Sequence, residues 1–194
     1  FVFLLSATPS PDAALFYFYT GELKLSAEFL GRSALVGAVA SLVGVVVFQR
    51  FLQNVRLRTI LTWTTLLSLP VSLSQLALVT HANRLVGISD KTLALLDSAV
   101  LSALSRVAFM PTLVLAARLC PAGVEAALFA TLMSVYNAAG TLSTELGAAL
   151  TAAMGVTETE YAGLPGLVLL CGLAALLPLP LAGLMDEAEP GGGG

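Results

Sequence analysis

The chain has 194 residues and a net charge of −3, and 57% of its residues are hydrophobic while only 11% are charged. An ordinary soluble domain carries about 25% charged residues, so this composition excludes a water-soluble fold and indicates a lipid environment. The nine Lys and Arg residues are scattered singly, without the basic stripe that phosphate backbones attract, which excludes nucleic acid as a partner.

Six segments are apolar and long enough to be membrane-spanning helices, because about 20 apolar residues cross a hydrocarbon core about 30 Å thick. They cover residues 1–19, 29–51, 59–79, 92–118, 124–153 and 164–185. Short connections join them, which predicts a compact all-α membrane bundle over residues 1–185. The tail at 186–194 is acidic and then glycine-rich, a composition that predicts disorder.

The first segment contains Pro9 and Pro11, so we expect this span to break and to restart at Pro11. Asp12 then either caps the restarted helix or binds a substrate or a proton. Phe16 and Tyr19 follow on the same face as Asp12. Their rings either form a stacking platform for a flat aromatic ligand or contact lipid.

A polar stripe runs along the fourth segment, which predicts a face toward protein or water and away from lipid. Its members are Ser98, Ser102, Ser105, Arg106 and Phe109. Arg106 lies near the middle of the membrane. It is either a cation for a substrate carboxylate or half of an ion pair with a carboxylate on another helix.

The sequence also predicts the environment of Asp97 and a bend at Pro111, both in the fourth segment. Asp97 lies nine residues before Arg106, which at about 100° per residue turns it to the opposite side of the helix. We expect Asp97 to occupy a solvated helix end. Pro111 predicts a bend, because its ring removes a backbone hydrogen bond.

A second polar stripe follows the fifth segment and is expected to meet the fourth helix or a cavity. Its members are Thr131, Ser134, Ala138, Thr141 and Glu145. Gly140 and Gly147 are expected to allow close approach of neighbouring helices. Asn137 either binds a polar ligand or bonds to another helix, and Glu145 either pairs with Arg106 or carries a proton.

The sequence lacks the residue sets that enzymes and metal sites use. It has no Ser-His-Asp set and no glycine-rich phosphate loop, and Cys120 and Cys171 lie in separate helices without a neighbouring histidine. His81 is expected to be a solvated loop residue. We therefore predict no enzyme, no metal and no cofactor, and the ionisable groups at membrane depth favour transport.

Several segments resemble the folate-biopterin transporter family, a branch of the major facilitator superfamily, and the resemblance covers nearly the whole chain. They read Ala-Thr-Pro-Ser-Pro-Asp at 7–12, Leu-Val-Gly-Ile-Ser-Asp at 85–90, Phe-Met-Pro at 109–111, Leu-Ala-Ala-Arg-Leu-Cys-Pro at 115–121 and Leu-Phe-Ala-Thr-Leu-Met-Ser at 128–134. The similarity is greater to plant and algal members than to protozoan ones. Because the chain opens at Phe1 inside an apolar run, we expect it to be a fragment of a longer protein.

The resemblance implies the C-terminal half of a twelve-helix secondary carrier that moves folates or pterins by proton-coupled or exchange transport. The implied partners are the solute, the lipid bilayer and the N-terminal six-helix half of the same protein. The implied location is multi-pass in the chloroplast envelope, with the plasma membrane as the alternative. A membrane scaffold or receptor derived from a transporter, or a carrier for a different organic anion, are the competing hypotheses.

The resemblance also assigns expectations to residues. Asp12 and Asn137 lie in family-like stretches and are expected to border the substrate path. Arg118 and Glu125 are expected to clasp the loop between the fourth and fifth helices. The positions of Arg106 and Glu145 are not usually charged in the family, which favours an ion pair between them that is peculiar to this protein.

Overall fold

The fold is taken from a computed structural model, which describes residues 2–119, 123 and 125–180, with side chains at all of these except 2, 115–119 and 125. The described residues contain helices and no strand, which confirms the predicted all-α class. In chain order the helices are α1 (Val2–Ser6), α2 (Asp12–Tyr17), α3 (Ala27–Val47), α4 (Leu57–Val79), α5 (Asp90–Leu119), α6 (Glu125–Ala153) and α7 (Leu164–Ala174). Single π-helical turns follow α2 at Phe18–Glu22 and α3 at Phe48–Leu52, and a 3₁₀ turn lies at Ala82–Val86.

The four long helices lie within a few residues of their predicted positions. Three stretches, Ala27–Leu52, Leu57–Val79 and Asp90–Val114, are long and apolar enough to cross a membrane. In the described residues α7 is shorter than the predicted sixth span and ends at Ala174, and residues 181–194, with the predicted tail, lie outside the described part. Six crossings and the major-facilitator half therefore stay predictions.

The first span is broken where the prolines predict. α2 begins at Asp12 with Pro11 in the N-cap position and no side-chain capping hydrogen bond. Proline lacks a backbone N–H, so a continuous helix through this stretch would lose backbone hydrogen bonds. α5, by contrast, continues through the buried Pro111, and the predicted bend there stays a prediction.

α3 packs along α5 through small residues. A Cβ added at Gly44 would lie 2.7 Å from the carbonyl oxygen of Ala103, and one at Gly37 would lie 2.9 Å from Oγ of Ser102. Ser41 also donates a hydrogen bond to the Ser102 carbonyl at 3.4 Å. Because small residues allow helix backbones to approach closely in membranes, this contact fixes how α5 is turned. It confirms that this part of the polar stripe on α5 faces protein.

The main hydrophobic core joins α2, α4, α5 and α7. Phe18, Leu78, Leu164 and Leu167 are among its buried side chains. Many other large apolar residues are exposed, including Leu42 on α3 at 67%. Extended exposed apolar surface is rare on soluble monomers, and here it provides the surface that lipid covers.

A polar network closes the loop between α4 and α5. The buried Asn83 donates hydrogen bonds to the Ile88 carbonyl at 2.9 Å and to Oδ1 of Asp90 at 2.7 Å. Nη2 of Arg84 donates to Oδ2 of Asp90 at 2.6 Å, and this hydrogen bond raises the pKa of the Arg84 guanidinium. One carboxylate thus holds both residues of the loop.

His81, expected to be solvated, is half-buried. Its ring centroid lies 5.8 Å from that of Phe18, and its Nε2 lies 4.0 Å from Oε1 of Glu22. The backbone at His81 is left-handed, with φ of 56°, so the chain turns sharply at the end of α4. That turn directs the imidazole onto the π-helical turn after α2.

We expect Asn83→Ala to lower the free energy of unfolding of the full-length protein in detergent by about 1–3 kcal/mol, because a neutral hydrogen bond contributes about 1 kcal/mol and one to a charged group about 1.5–3. Thermal melting measures the change. Asn54→Ala is the control, since Asn54 is exposed in the turn before α4. Equal melting temperatures for the two variants would contradict the role given to Asn83.

Candidate functional site

A polar cavity of about 380 Å³ opens between α3, α5 and α6. A second cavity of about 270 Å³ adjoins it, shares three of its lining residues and extends toward α1. The first cavity is lined by Ser41, Ser102, Ser105, Arg106, Phe109 and Tyr136. Ligand sites commonly measure about 300–1,000 Å³, so the joined cavities have the size of a small-molecule site.

Arg106 supplies the only charge among these lining side chains. Its Cζ lies 5.9 Å from the centroid of the Phe109 ring, within the range of a cation–π contact. The Phe109 and Tyr136 rings are 4.7 Å apart, with their planes inclined by 52°. Within the described residues Arg106 forms no ion pair, so its guanidinium donors are available to a ligand.

The predicted ion pair between Arg106 and Glu145 is wrong in the described structure. Glu145 is exposed on α6 and has no cation within ion-pair distance among the described residues. Tyr136 faces the cavity, and Glu145 follows it by nine residues. At about 100° per residue this separation turns Glu145 to the opposite side of α6, away from Arg106.

The polar stripe on α6 was expected to meet α5 or a cavity. In the described structure it does neither. Its members Thr131, Ser134, Ala138, Thr141 and Glu145 are all exposed, and so is Asn137. Three of the hydroxyl groups donate to carbonyls four residues earlier on the same helix, which satisfies them without a partner helix. α6 therefore presents a polar face that the described part of the chain leaves uncovered.

The close approach predicted for glycines on α6 occurs at Gly147 and not at Gly140. A Cβ at Gly147 would clash with the carbonyl oxygen of Ser10, whereas one at Gly140 would meet nothing within 4 Å. Ser143 donates a hydrogen bond to the Thr8 carbonyl. α6 is thus docked on the break in the first span, while Gly140 lines the second cavity.

Asp12, Phe16 and Tyr19 lie outside the cavity lining. Asp12 and Phe16 are exposed, whereas Tyr19 packs against the core, with its ring centroid 6.3 Å from that of Phe18. Among the described residues the Phe16 and Tyr19 rings do not contact each other. The chain changes from α-helix to π-helix at Phe18, which changes the angular step between Phe16 and Tyr19.

Asp97, expected at a solvated helix end, is 5% exposed. It lies on the side of α5 opposite Arg106, as the spacing predicts, and that side is covered by α4, where Ser74 lies next to its carboxyl group. Its Oδ2 is buried and has no hydrogen-bond partner among the described residues. The expectation of solvation was wrong because α4 covers this end of α5.

Sequence reasoning missed two residues of the first cavity's lining, Ser41 and Tyr136. The signal for Tyr136 was its place one turn before Gly140 on α6, since these two residues face the second cavity together. The clasp predicted for Arg118 and Glu125 is untested, because both side chains, and Cys120, lie outside the described residues.

An all-helical chain with three stretches able to cross a membrane and a polar cavity between its helices defines the class of integral membrane proteins. The chain belongs to the BT1 family, whose family model matches residues 1–190. This confirms the family resemblance and, since the relatives are named as transporters, the prediction that the chain is not an enzyme.

The named relatives include the folate-biopterin transporter of Synechocystis sp., which is 51% identical over 98% of this chain and 38% of its own length. The putative folate transporter 2 of Plasmodium berghei is 33% identical over 97% of this chain and 42% of its own length. The probable folate-biopterin transporter 4 of Arabidopsis thaliana is 36% identical over 79% of this chain and 31% of its own length.

The chain spans less than half the length of each of these curated relatives. The identities with the Arabidopsis and Plasmodium proteins are similar, so the predicted plant or algal type stays a prediction. No solved structure matches the chain.

Proposed function

We propose that the chain is the C-terminal half of a major-facilitator-type secondary carrier for folates or pterins. The observation that supports this best is the cavity around Arg106, where one cation without an ion-pair partner among the described residues lies beside two aromatic rings. Ionisable side chains at membrane depth are costly and are typically retained for function. The names of the relatives supply the substrate class.

Each part of the cavity matches a part of such a solute. A guanidinium binds a carboxylate through two parallel hydrogen bonds, which suits the carboxylates of a folate. Phe109 and Tyr136 offer rings on which a flat pterin stacks. The hydroxyl groups of Ser41, Ser102 and Ser105 both donate and accept hydrogen bonds, as the polar edge of a pterin requires.

The exposed polar face of α6 supports a second half as partner. In transporters built from repeats, the solute path lies at the interface between the repeats. The N-terminal six-helix half of the same protein is the proposed cover for Asn137 and Glu145. Asp12, Phe16 and Tyr19 stay proposed path residues on the broken span, at the edge of the same interface.

The proposed location is multi-pass in the chloroplast envelope, with the plasma membrane as the alternative, and the proposed coupling is to protons or to exchange. Relatives from a plant and a cyanobacterium support the plastid. The three apolar stretches support insertion in a bilayer.

Uptake by the full-length protein tests the proposal. Folate-auxotrophic cells that express the complete open reading frame are given radiolabelled folate or a radiolabelled pterin, and surface expression is measured in the same cells. Saturable uptake that unlabelled folate competes away supports the carrier. Folate binding to purified protein without uptake would replace it by the receptor hypothesis, and uptake of other organic anions alone would replace the substrate class.

Cysteine labelling tests the two faces of the bundle in the full-length protein, with its native cysteines replaced by alanine. We expect Asn137→Cys to react with a charged, water-soluble thiol reagent and Leu42→Cys to be unreactive, because thiolate forms only where water reaches the residue. Both positions are exposed in this chain, so exposure alone cannot explain a difference. Equal labelling of both would contradict the assignment of a water-filled path to α6 and of lipid to α3.

A further inference from the structure

A buried acid lies on α5 away from the Arg106 cavity. Asp97 is 5% exposed, lies next to Ser74 of α4, and has an Oδ2 that is buried and unpartnered among the described residues. No cation of the described part of the chain lies within ion-pair distance of it. An ionised carboxylate in such a place is costly, whereas the neutral acid is tolerated.

The ionisable groups that face this acid do not neutralise it. Tyr19, on the π-helical turn after α2, lies within electrostatic range of both Asp97 and Asp12. Cys171 of α7 lies within range of Asp12. His81 packs on Phe18 of the same core and approaches Glu22. Among the described residues Tyr19 and Ser74 are thus the polar groups shown near Asp97, and neither supplies a cation.

We propose that Asp97 is the proton-binding site of the carrier, an inference that rests on the proposed transport function. In the outward or inward state that admits water, a hydronium ion transfers its proton to Oδ2. An O–H bond forms, and the carboxylate becomes a neutral carboxylic acid. In the opposite state the O–H bond breaks, and water on that side takes the proton.

The position of Asp97 explains how one proton biases the conformation. Ala94, one turn before Asp97 on α5, belongs to the core that also includes Leu15 of α2 and Leu78 of α4. The neutral acid is compatible with this closed packing, whereas the ionised form needs water or a cation and favours an arrangement in which the elements separate. A ligand shifts an equilibrium only through different affinity for its two states, and the proton meets that condition here.

The same helix links the proton to the solute. Asp97 and Arg106 lie nine residues apart on opposite sides of α5, the first against α4 and the second in the cavity with α3 and α6. A displacement of α5 relative to α4 therefore changes the proton site and the proposed solute site together. Alternating access by movement of rigid elements requires such a link.

Purified full-length carrier in proteoliposomes provides the test, with labelled folate as the probe. Two assays are compared, namely accumulation driven by an imposed pH gradient and counterflow of labelled against unlabelled folate without a gradient. We expect Asp97→Asn to lose gradient-driven accumulation and to retain counterflow. Glu28→Gln is the matched control, because Glu28 is an exposed carboxylate paired with Arg32 on α3, and both activities are expected to be unchanged.

The outcomes separate this proposal from the transport function. A wild-type carrier that catalyses neither process would refute transport of folate itself. A wild-type carrier whose uptake ignores the pH gradient, or an Asp97→Asn carrier that still accumulates folate as the wild type does, would overturn the proton site alone.

Infrared spectroscopy of the purified wild-type protein adds a readout that does not depend on transport. We expect the C=O stretch of a protonated carboxylic acid near neutral pH, and its loss in Asp97→Asn. Asp97→Glu, which keeps the acid, is expected to retain the band at a shifted frequency together with gradient-driven uptake. The absence of any such band from the wild-type protein would overturn the proposal even if neither variant folds.

Discussion

Gly147→Ala is expected to destabilise the docking of α6 on the broken first span by about 1–3 kcal/mol, the usual cost of inserting an extra carbon into tight packing. The added Cβ would overlap the carbonyl oxygen of Ser10. That carbonyl has little freedom to move, because Pro9 and Pro11 restrict the backbone on both sides. The hydrogen bond from Ser143 to the Thr8 carbonyl holds the same segment.

Gly140→Ala is the matched control for Gly147→Ala, since it makes the same change on the same helix where nothing lies within 4 Å of the new Cβ. It is expected to be neutral or slightly stabilising, because alanine is preferred over glycine in a helix by about 0.5–1 kcal/mol. Melting temperature and monodispersity of the full-length protein in detergent measure both variants. If Gly147→Ala melts as high as Gly140→Ala, the close contact with Ser10 does not exist in the folded carrier.

The sequence predicts the helices themselves well, because their signals are local. The third span was predicted at 59–79, and α4 covers Leu57–Val79. The break in the first span was predicted from Ser10, Pro11 and Asp12, a sequence that caps and starts a helix. An apolar run of sufficient length and its punctuation by proline require no knowledge of the neighbouring helices.

Contacts between helices were predicted less well, because they depend on how each helix is turned about its axis. The sequence predicted close helix approach at Gly140 and Gly147 and favoured an ion pair between Arg106 and Glu145. Of these contacts, only the close approach at Gly147 is confirmed. Helices that are apolar on most sides give a weak signal for which side is buried in protein. Asp97 illustrates this point, since its closeness to a loop in the sequence suggested water, whereas α4 covers it in the fold.

The lining of the cavity was predicted in part. The stripe on α5 predicted Ser102, Ser105, Arg106 and Phe109 as one face, and all four line the cavity, because residues on one helix keep their relative angles in any fold. Tyr136 lies on α6. The polar stripe of α6 predicted that a different side of this helix faces the cavity. Only the docking of α6 on the broken span turns Tyr136 toward Phe109.

Arg106→Gln is expected to reduce folate uptake by the full-length carrier about 10- to 100-fold, since a hydrogen bond to a charged group contributes about 1.5–3 kcal/mol and each 1.4 kcal/mol is a factor of ten in affinity. Glutamine keeps a polar side chain, although a shorter one, and removes the charge and the two-pronged geometry that a carboxylate prefers. Uptake of a pterin without carboxylates is expected to change much less. The measured quantity is therefore the ratio of folate uptake to pterin uptake, at equal surface expression.

Two further variants decide what a change in that ratio means. Arg32→Gln removes an exposed arginine paired with Glu28 at the start of α3 and is expected to leave both solutes unaffected. Arg106→Lys keeps the charge as a single point and is expected to fall between wild type and Arg106→Gln, because an ammonium group cannot bind a carboxylate through a planar fork. If Arg106→Gln instead lowers the uptake of both solutes equally, the guanidinium acts by holding the Phe109 and Tyr136 rings in place, and the carboxylate site must be sought on the exposed face of α6.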